Sequence, residues 1–129
     1  MILVIGGAFQ GKRQVCCRLL HMDESEFQDG LADGQRDEPE QALEKPYVAA
    51  FHEFLRKAVS RGMDPEAYTM DVLAMQPKII SIDEVGCGIV PVDRRDRDYR
   101  ETVGLCGQLL AAGAEAVYRV VCGIPSRIK

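Results

Sequence analysis

At 129 residues, with 47% apolar and 28% charged side chains and no long apolar run, the composition fits one soluble globular domain and excludes a membrane-spanning or low-complexity chain. The formal charge of −4 is uneven: segment 23–45 holds nine acids and two bases, a net −7, and leaves +3 for the remainder. That balance argues against nucleic acid as a partner of the whole chain, yet leaves room for a small polyanion beside the basic part.

The chain starts with Ile2-Leu3-Val4-Ile5, a continuous apolar run of the kind buried on both faces of a parallel sheet. It is far too short for a signal peptide, so Met1 is read as the start of a cytoplasmic protein. A glycine loop follows, and Lys12–Leu20 has the composition of a helix with Val15, Cys16, Leu19 and Leu20 on one side. Residues 22–45 form an acidic insert with few large apolar side chains, expected to be mobile in part, with at most a short strand near Phe27–Leu31.

Pro46 is placed to open a helix, and Tyr47, Val48, Phe51, Phe54, Leu55, Ala58 and Val59 follow helical spacing toward a stop at Gly62. Asp64-Pro65-Glu66 combines an N-cap, a first-turn proline and an acid at the positive helix end, which predicts a second helix to about Met75. Lys78–Ile82 reads as the second buried strand, Arg94–Ala112 as a long helix interrupted in propensity by Gly104 and Gly107, and Val117–Val121 as a third strand broken by Gly123. Strands alternating with helices imply a parallel α/β sheet in a single domain over residues 1–129, whose ligands bind beyond the carboxyl ends of the strands.

Five cysteines, Cys16, Cys17, Cys87, Cys106 and Cys122, show no Cys-x-x-Cys spacing, so neither a disulfide framework nor a structural zinc site is expected. Cys16, Cys106 and Cys122 sit among apolar residues and read as small core fillers.

Gly6-Gly7-Ala8-Phe9-Gln10-Gly11-Lys12 has the P-loop spacing of glycine, four residues, glycine and lysine, between a buried strand and a helix. Glycines let the backbone turn its N–H groups onto phosphate, the helix adds its positive end, and Lys12 adds a full charge for the β- and γ-phosphates. Arg13 stands where a serine or threonine hydroxyl usually binds Mg²⁺; a guanidinium has no acceptor for a metal but can contact phosphate. Ile79–Ile82 ends in Asp83 and Glu84, where an acid beside a P-loop organises Mg²⁺; either could instead cap the loop. Arg94, Arg97 and Arg100 lie three apart on one helix face, as phosphate ligands or, the reading the pattern favours, as a salt-bridged solvent face with Asp93, Asp96 and Glu101. His21, at the end of the first helix, and His52 read as ordinary, partly exposed histidines.

Two blocks together resemble the adenosylcobinamide kinase/adenosylcobinamide-phosphate guanylyltransferase family of cobalamin biosynthesis. Gly6-Gly7-Ala8 and Gly11-Lys12 match its N-terminal Gly-Gly-Ala, two residues, Gly-Lys-Ser. Asp83-Glu84-Val85-Gly86-Cys87-Gly88-Ile89-Val90-Pro91 matches its Asn-Glu-Val-Gly-x-Gly-Ile-Val-Pro, and Arg94, Arg97, Arg100, Gly104, Gln108 and the terminal Gly123-Ile124 with Arg127-Ile128-Lys129 keep further positions. The resemblance implies a P-loop fold, a nucleoside triphosphate (ATP or GTP) with Mg²⁺, adenosylcobinamide as phosphoryl acceptor, subsequent GMP transfer to that phosphate, and a homo-oligomer with sites near subunit boundaries. Family members are longer in the middle, where they carry a strand ending in an acid and the guanylylated histidine; neither His21 nor His52 aligns with that histidine. Leu105 and Gly107 replace polar residues of the late helix.

Two functions follow as expectations. In one, Lys12, Asp83 and Glu84 serve phosphoryl (or guanylyl) transfer to adenosylcobinamide, with Gly6–Lys12 and Arg13 on the nucleotide and Asp83 on the metal. In the other, the chain binds nucleotide without transfer chemistry, as a sensor or partner in the corrinoid pathway. The oligomer is expected to use apolar side chains of the 47–60 helix or the loop Val85–Pro91.

Overall fold

The computed structural model describes residues 1–85 and 92–129. Strand β1 (Ile2–Gly6) is interior, which is why its side chains are apolar in both directions. It pairs in parallel with β4 (Ile79–Asp83) on one side and β5 (Ala116–Val121) on the other. The sheet runs β2 (Leu31–Asp33), β3 (Tyr47–Ala49), β4, β1, β5, β6 (Ile124–Arg127), parallel throughout except that β6 returns antiparallel to β5. This is the P-loop-like α/β architecture expected, and it gathers the carboxyl ends of β1 to β4 on one edge.

Alternation along the strands makes two cores. Leu3, Ile80 and Ile82 pack toward α3 (Phe51–Ser60), α4 (Pro65–Ala74) and α5 (Arg94–Gly113). Val4, Ile79 and Val120 pack toward α1 (Lys12–Leu19) and α2 (Glu24–Asp29). The first core is the heavier: Phe51, Phe54 and Leu55 are fully buried, and Phe51 stacks on Tyr68 at 5.9 Å. Each such side chain contributes about 1.5–3 kcal/mol by leaving water. Tyr68 also donates its hydroxyl hydrogen to the Pro39 carbonyl at 2.7 Å, in a 3-10 turn over Pro39–Leu43. The Asp64 cap forms as its sequence demands, accepting from Glu66 N–H at 3.1 Å with Pro65 in the first turn.

Three elements differ from the sequence reading. Tyr47–Ala49 is a strand, and the helix starts only at Phe51. Short apolar runs satisfy both periods; here pairing decides, because Val48 sits between Ala32 of β2 and Ile80 of β4. Pro46 precedes that strand, its carbonyl accepting from Lys78 N–H at 2.8 Å. The strand expected near Phe27–Leu31 lies at Leu31–Asp33, while Phe27 is buried within α2, whose N-cap Asp23 accepts from Glu26 N–H at 2.8 Å. Thus segment 22–45 supplies the outermost strand and a buried aromatic. The third difference is β6. Cys122 (φ 49°) and Gly123 (φ 76°) make a two-residue turn that returns the chain, so Gly123 ends β5 by reversing it.

That turn leaves Cys122 exposed, which corrects its reading as a core filler; Cys16 and Cys106 are buried as expected. The apolar side chains of the 47–60 region are likewise spent inside the chain: among the large apolar residues of α3 only Val59 is substantially exposed, at 47%. The hydrophobic face of that helix is thus already buried in the core, which leaves little apolar surface there for the expected subunit interface. Of the alternative interface loop, residues 86–91 lie outside those described. Among the described residues, no helix is long and apolar enough to cross a membrane.

Candidate functional site

At the end of β1, Gly6 lies in register with Asp83 at the end of β4. Gly6 admits no side chain, since a Cβ there would come 2.6 Å from the Val120 carbonyl oxygen. Gly11, with φ +91°, turns the chain into α1 and makes Lys12 its first residue. Lys12 Nζ donates to the Gly7 carbonyl at 2.6 Å and pairs with Asp83 Oδ1 at 2.7 Å, with only 11% of the side chain exposed. The cation is therefore held across the loop mouth between β1 and β4.

The β5–β6 turn braces this loop from outside. The Gln10 carbonyl accepts from Gly123 N–H at 2.8 Å and Gln10 Oε1 from Cys122 N–H at 2.7 Å. Arg18 donates to the Gly123 carbonyl at 3.0 Å. Phe9 stands fully exposed at the loop tip, and Gly7 and Ala8 complete the path between the braced residues.

The two adjacent acids part company. Asp83 shares its strand face with Ser81 and looks into a crevice of about 510 Å³ that the loop and the ends of β2, β3 and β4 enclose. Glu84 takes a bidentate contact from Arg119 of β5, at 2.8 and 3.3 Å, and its N–H donates to the Gly6 carbonyl at 3.0 Å. The ambiguity between them is thereby reduced to position: Asp83 is aimed at the crevice and Glu84 ties β4 to β1 and β5.

His52 lies in the same crevice, which the sequence reading did not foresee. It is 5% exposed, not partly exposed, and sits in the first turn of α3. Its Nδ1 accepts from Asp83 N–H at 3.2 Å, while Nε2 lies 3.6 Å from Asp83 Oδ2 and 3.5 Å from Glu53 Oε1. Burial pulls the imidazole pKa below its ordinary value, against the opposing pull of Asp83 and Glu53. The missed signal was β3 itself: a strand at 47–49 would have placed residue 52 on the ligand-binding edge. His21, by contrast, is exposed beyond α1, with φ 53°.

Arg13 turns from the loop toward β2. Its guanidinium bonds Gln28 Oε1 and lies 4.0 Å from Asp33, at the edge of the crevice. Arg94, Arg97 and Arg100 occupy the first two turns of α5, and none of them lines the crevice. Arg94 is largely exposed and faces Asp98 at 3.9 Å, while Asp93 serves as the N-cap, accepting from Arg95 N–H at 2.8 Å. Arg100 is half-buried and has partners within the fold. The match over Gly86–Pro91 falls on residues outside those described.

Asp83 and Asp33 are the carboxylates of the crevice. Among the described residues, no three histidine, cysteine, aspartate or glutamate side chains converge as a metal cage. Such a sparse donor set fits Mg²⁺, which keeps several waters and commonly takes one or two carboxylates together with substrate phosphates.

The family model of cobinamide kinase / cobinamide phosphate guanyltransferase matches residues 49–128, well over half of the chain. That stretch includes His52, Asp83, Glu84 and Arg119; the Gly6–Lys12 loop precedes it. The bifunctional adenosylcobalamin biosynthesis protein CobU of Salmonella typhimurium is 37% identical over 75 residues, covering 56% of this chain and 41% of that protein. Its namesake in Escherichia coli is 45% identical over 51 residues, covering 40% of this chain and 28% of that protein. The aligned parts are thus less than half of either relative.

Proposed function

The chain belongs to the cobinamide kinase / cobinamide phosphate guanyltransferase family, and on that premise we propose that it transfers a phosphoryl group from ATP or GTP to adenosylcobinamide. The observation that carries this reading is the Lys12–Asp83 pair at 2.7 Å, set at the carboxyl ends of neighbouring parallel strands, where sheets of this class bind ligands. Gly6–Gly11 would cradle the phosphates with backbone N–H groups, aided by the N-terminal end of α1. Lys12 would exchange its contacts with Gly7 and Asp83 for phosphate oxygens. Asp83 would hold Mg²⁺, which when bound offsets charge on the transferred group. The acceptor hydroxyl oxygen would bond the γ-phosphorus while that phosphorus loses its bond to the β,γ-bridging oxygen, the nucleoside diphosphate would leave with that electron pair, and Asp83 would take the hydroxyl proton. Transfer of GMP to the product phosphate belongs to the same reading as its second reaction.

Incubating the protein with labelled triphosphate, Mg²⁺ and adenosylcobinamide should yield the labelled phosphate ester, and Asp83→Asn should abolish it. Triphosphate binding with no transfer at any metal concentration would instead support binding without chemistry. Arg13 favours that second reading, because it removes the metal-binding hydroxyl and is engaged with Gln28 and Asp33. A homo-oligomer is also part of the proposal; light scattering at micromolar concentration should give a multiple of 14.3 kDa, and a monomer would remove it.

A further inference from the structure

His52 has Nδ1 committed to the end of β4 and Nε2 set between two carboxylates. The left-handed Ala50 (φ 53°) turns the chain sharply between β3 and α3, and the Ala50 N–H meets Ser81 Oγ at 3.4 Å, so α3 begins directly over that strand end. There Nδ1 accepts the Asp83 N–H, which in a neutral ring leaves the proton on Nε2. Nε2 then lies 3.6 Å from Asp83 Oδ2 and 3.5 Å from Glu53 Oε1, beyond hydrogen-bond length but within the range of attraction, while Lys12 holds Asp83 Oδ1. The main chain of His52 is held in turn: its carbonyl accepts from Tyr99 O–H at 2.9 Å, and Arg56 lies 4.2 Å over the Tyr99 ring while pairing with Glu53.

We infer that His52 is a positioning residue for the Asp83 carboxylate, held through the Asp83 backbone at one ring nitrogen and facing its free oxygen with the other. The role rests on the proposed phosphate site. When Lys12 leaves Asp83 for a phosphate, one oxygen of the carboxylate loses its partner, and His52 keeps the group aimed into the crevice. Groups that orient a metal-binding side chain are commonly worth tenfold or more in metal affinity. Neither the P-loop nor the acid at the end of β4 announces such a residue; only the β3–α3 turn brings it there.

The test uses the full chain and its variants His52→Ala and His52→Asn, the latter because the Asn amide oxygen stands near the place of Nδ1. Calorimetry with GTP should show His52→Ala weakened about tenfold in the presence of Mg²⁺ and changed by less than about twofold in its absence. His52→Asn should regain most of the loss. Independently, long-range ¹H–¹⁵N spectra of the ligand-free protein should show His52 as the neutral Nε2–H tautomer. A parent that binds GTP with His52→Ala unchanged, a folded His52→Asn no better than His52→Ala, or an Nδ1–H tautomer would each overturn the positioning role alone. A parent that binds no triphosphate would overturn the phosphate site and this role with it.

Discussion

The turn from β1 into α1 and the turn from β3 into α3 deliver Lys12 and His52 to the same carboxylate, by opposite means. The first is made with Gly6, Gly7 and Gly11, and its helix rests on the small residues Val15, Cys16 and Cys17. The second has no glycine, bends at a left-handed alanine, and its helix rests on Phe51, Phe54 and Leu55. One turn leaves backbone and space for a ligand; the other spends its residues on packing and fixes a side chain. A ligand site can therefore have a loop half that is recognisable by composition and a framework half that is recognisable only by where the fold puts it.

The largest effect that would test this contrast is on stability. Phe54→Ala should lower the unfolding free energy by about 3–5 kcal/mol in chemical denaturation, because it empties a fully buried site in the heavier core. A loss below about 1 kcal/mol would mean that α3 is not the anchored framework described. Next, Gly11→Ala should cost about 1–2 kcal/mol, since φ +91° is unfavourable for an L side chain and its Cβ would come 3.2 Å from Gly123 Cα. The mirror change, Ala50→Gly, should stabilise by about 0.5–1 kcal/mol, relief of the left-handed alanine outweighing the added chain entropy. If the two substitutions shift the denaturation midpoint in the same direction, the turns are not opposites. Smallest in stability is Arg13→Ser, within about 1 kcal/mol because the guanidinium contacts are partly exposed. That variant should nevertheless tighten Mg²⁺-dependent GTP binding by restoring a hydroxyl ligand; identical titrations with and without metal would place Arg13 outside the site.

Much of the framework was legible. The loop Gly6–Lys12, the apolar β1 and β4, and the capped start of α4 at Asp64-Pro65 each carry their signal in adjacent residues. What was not legible depends on partners distant in sequence. Val48 is a strand residue because Ala32 and Ile80 flank it, and no local pattern states that. Asp83 and Glu84 shared the catalytic role read from the sequence, with the metal given to Asp83; the strand face shared with Ser81 and the reach of Arg119 separate their positions. The brace from Cys122–Gly123 to Gln10 spans most of the chain and rests on a reversal at two positive-φ residues, only one of them a glycine. The arginines of α5 were legible as a face, with solvent as the favoured reading, and none of them lines the crevice.

The central claim is that Lys12 and Asp83 form the two sides of a triphosphate site. Titration calorimetry of GTP and ATP against the parent protein and Lys12→Ala, with Mg²⁺ present, tests it most directly. The account predicts that the parent binds at least one of the two nucleotides and that the variant loses at least about tenfold in affinity, since a charge-assisted phosphate contact is worth roughly 1.5–3 kcal/mol. Equal affinities in the two proteins, or no binding by the parent, would contradict it.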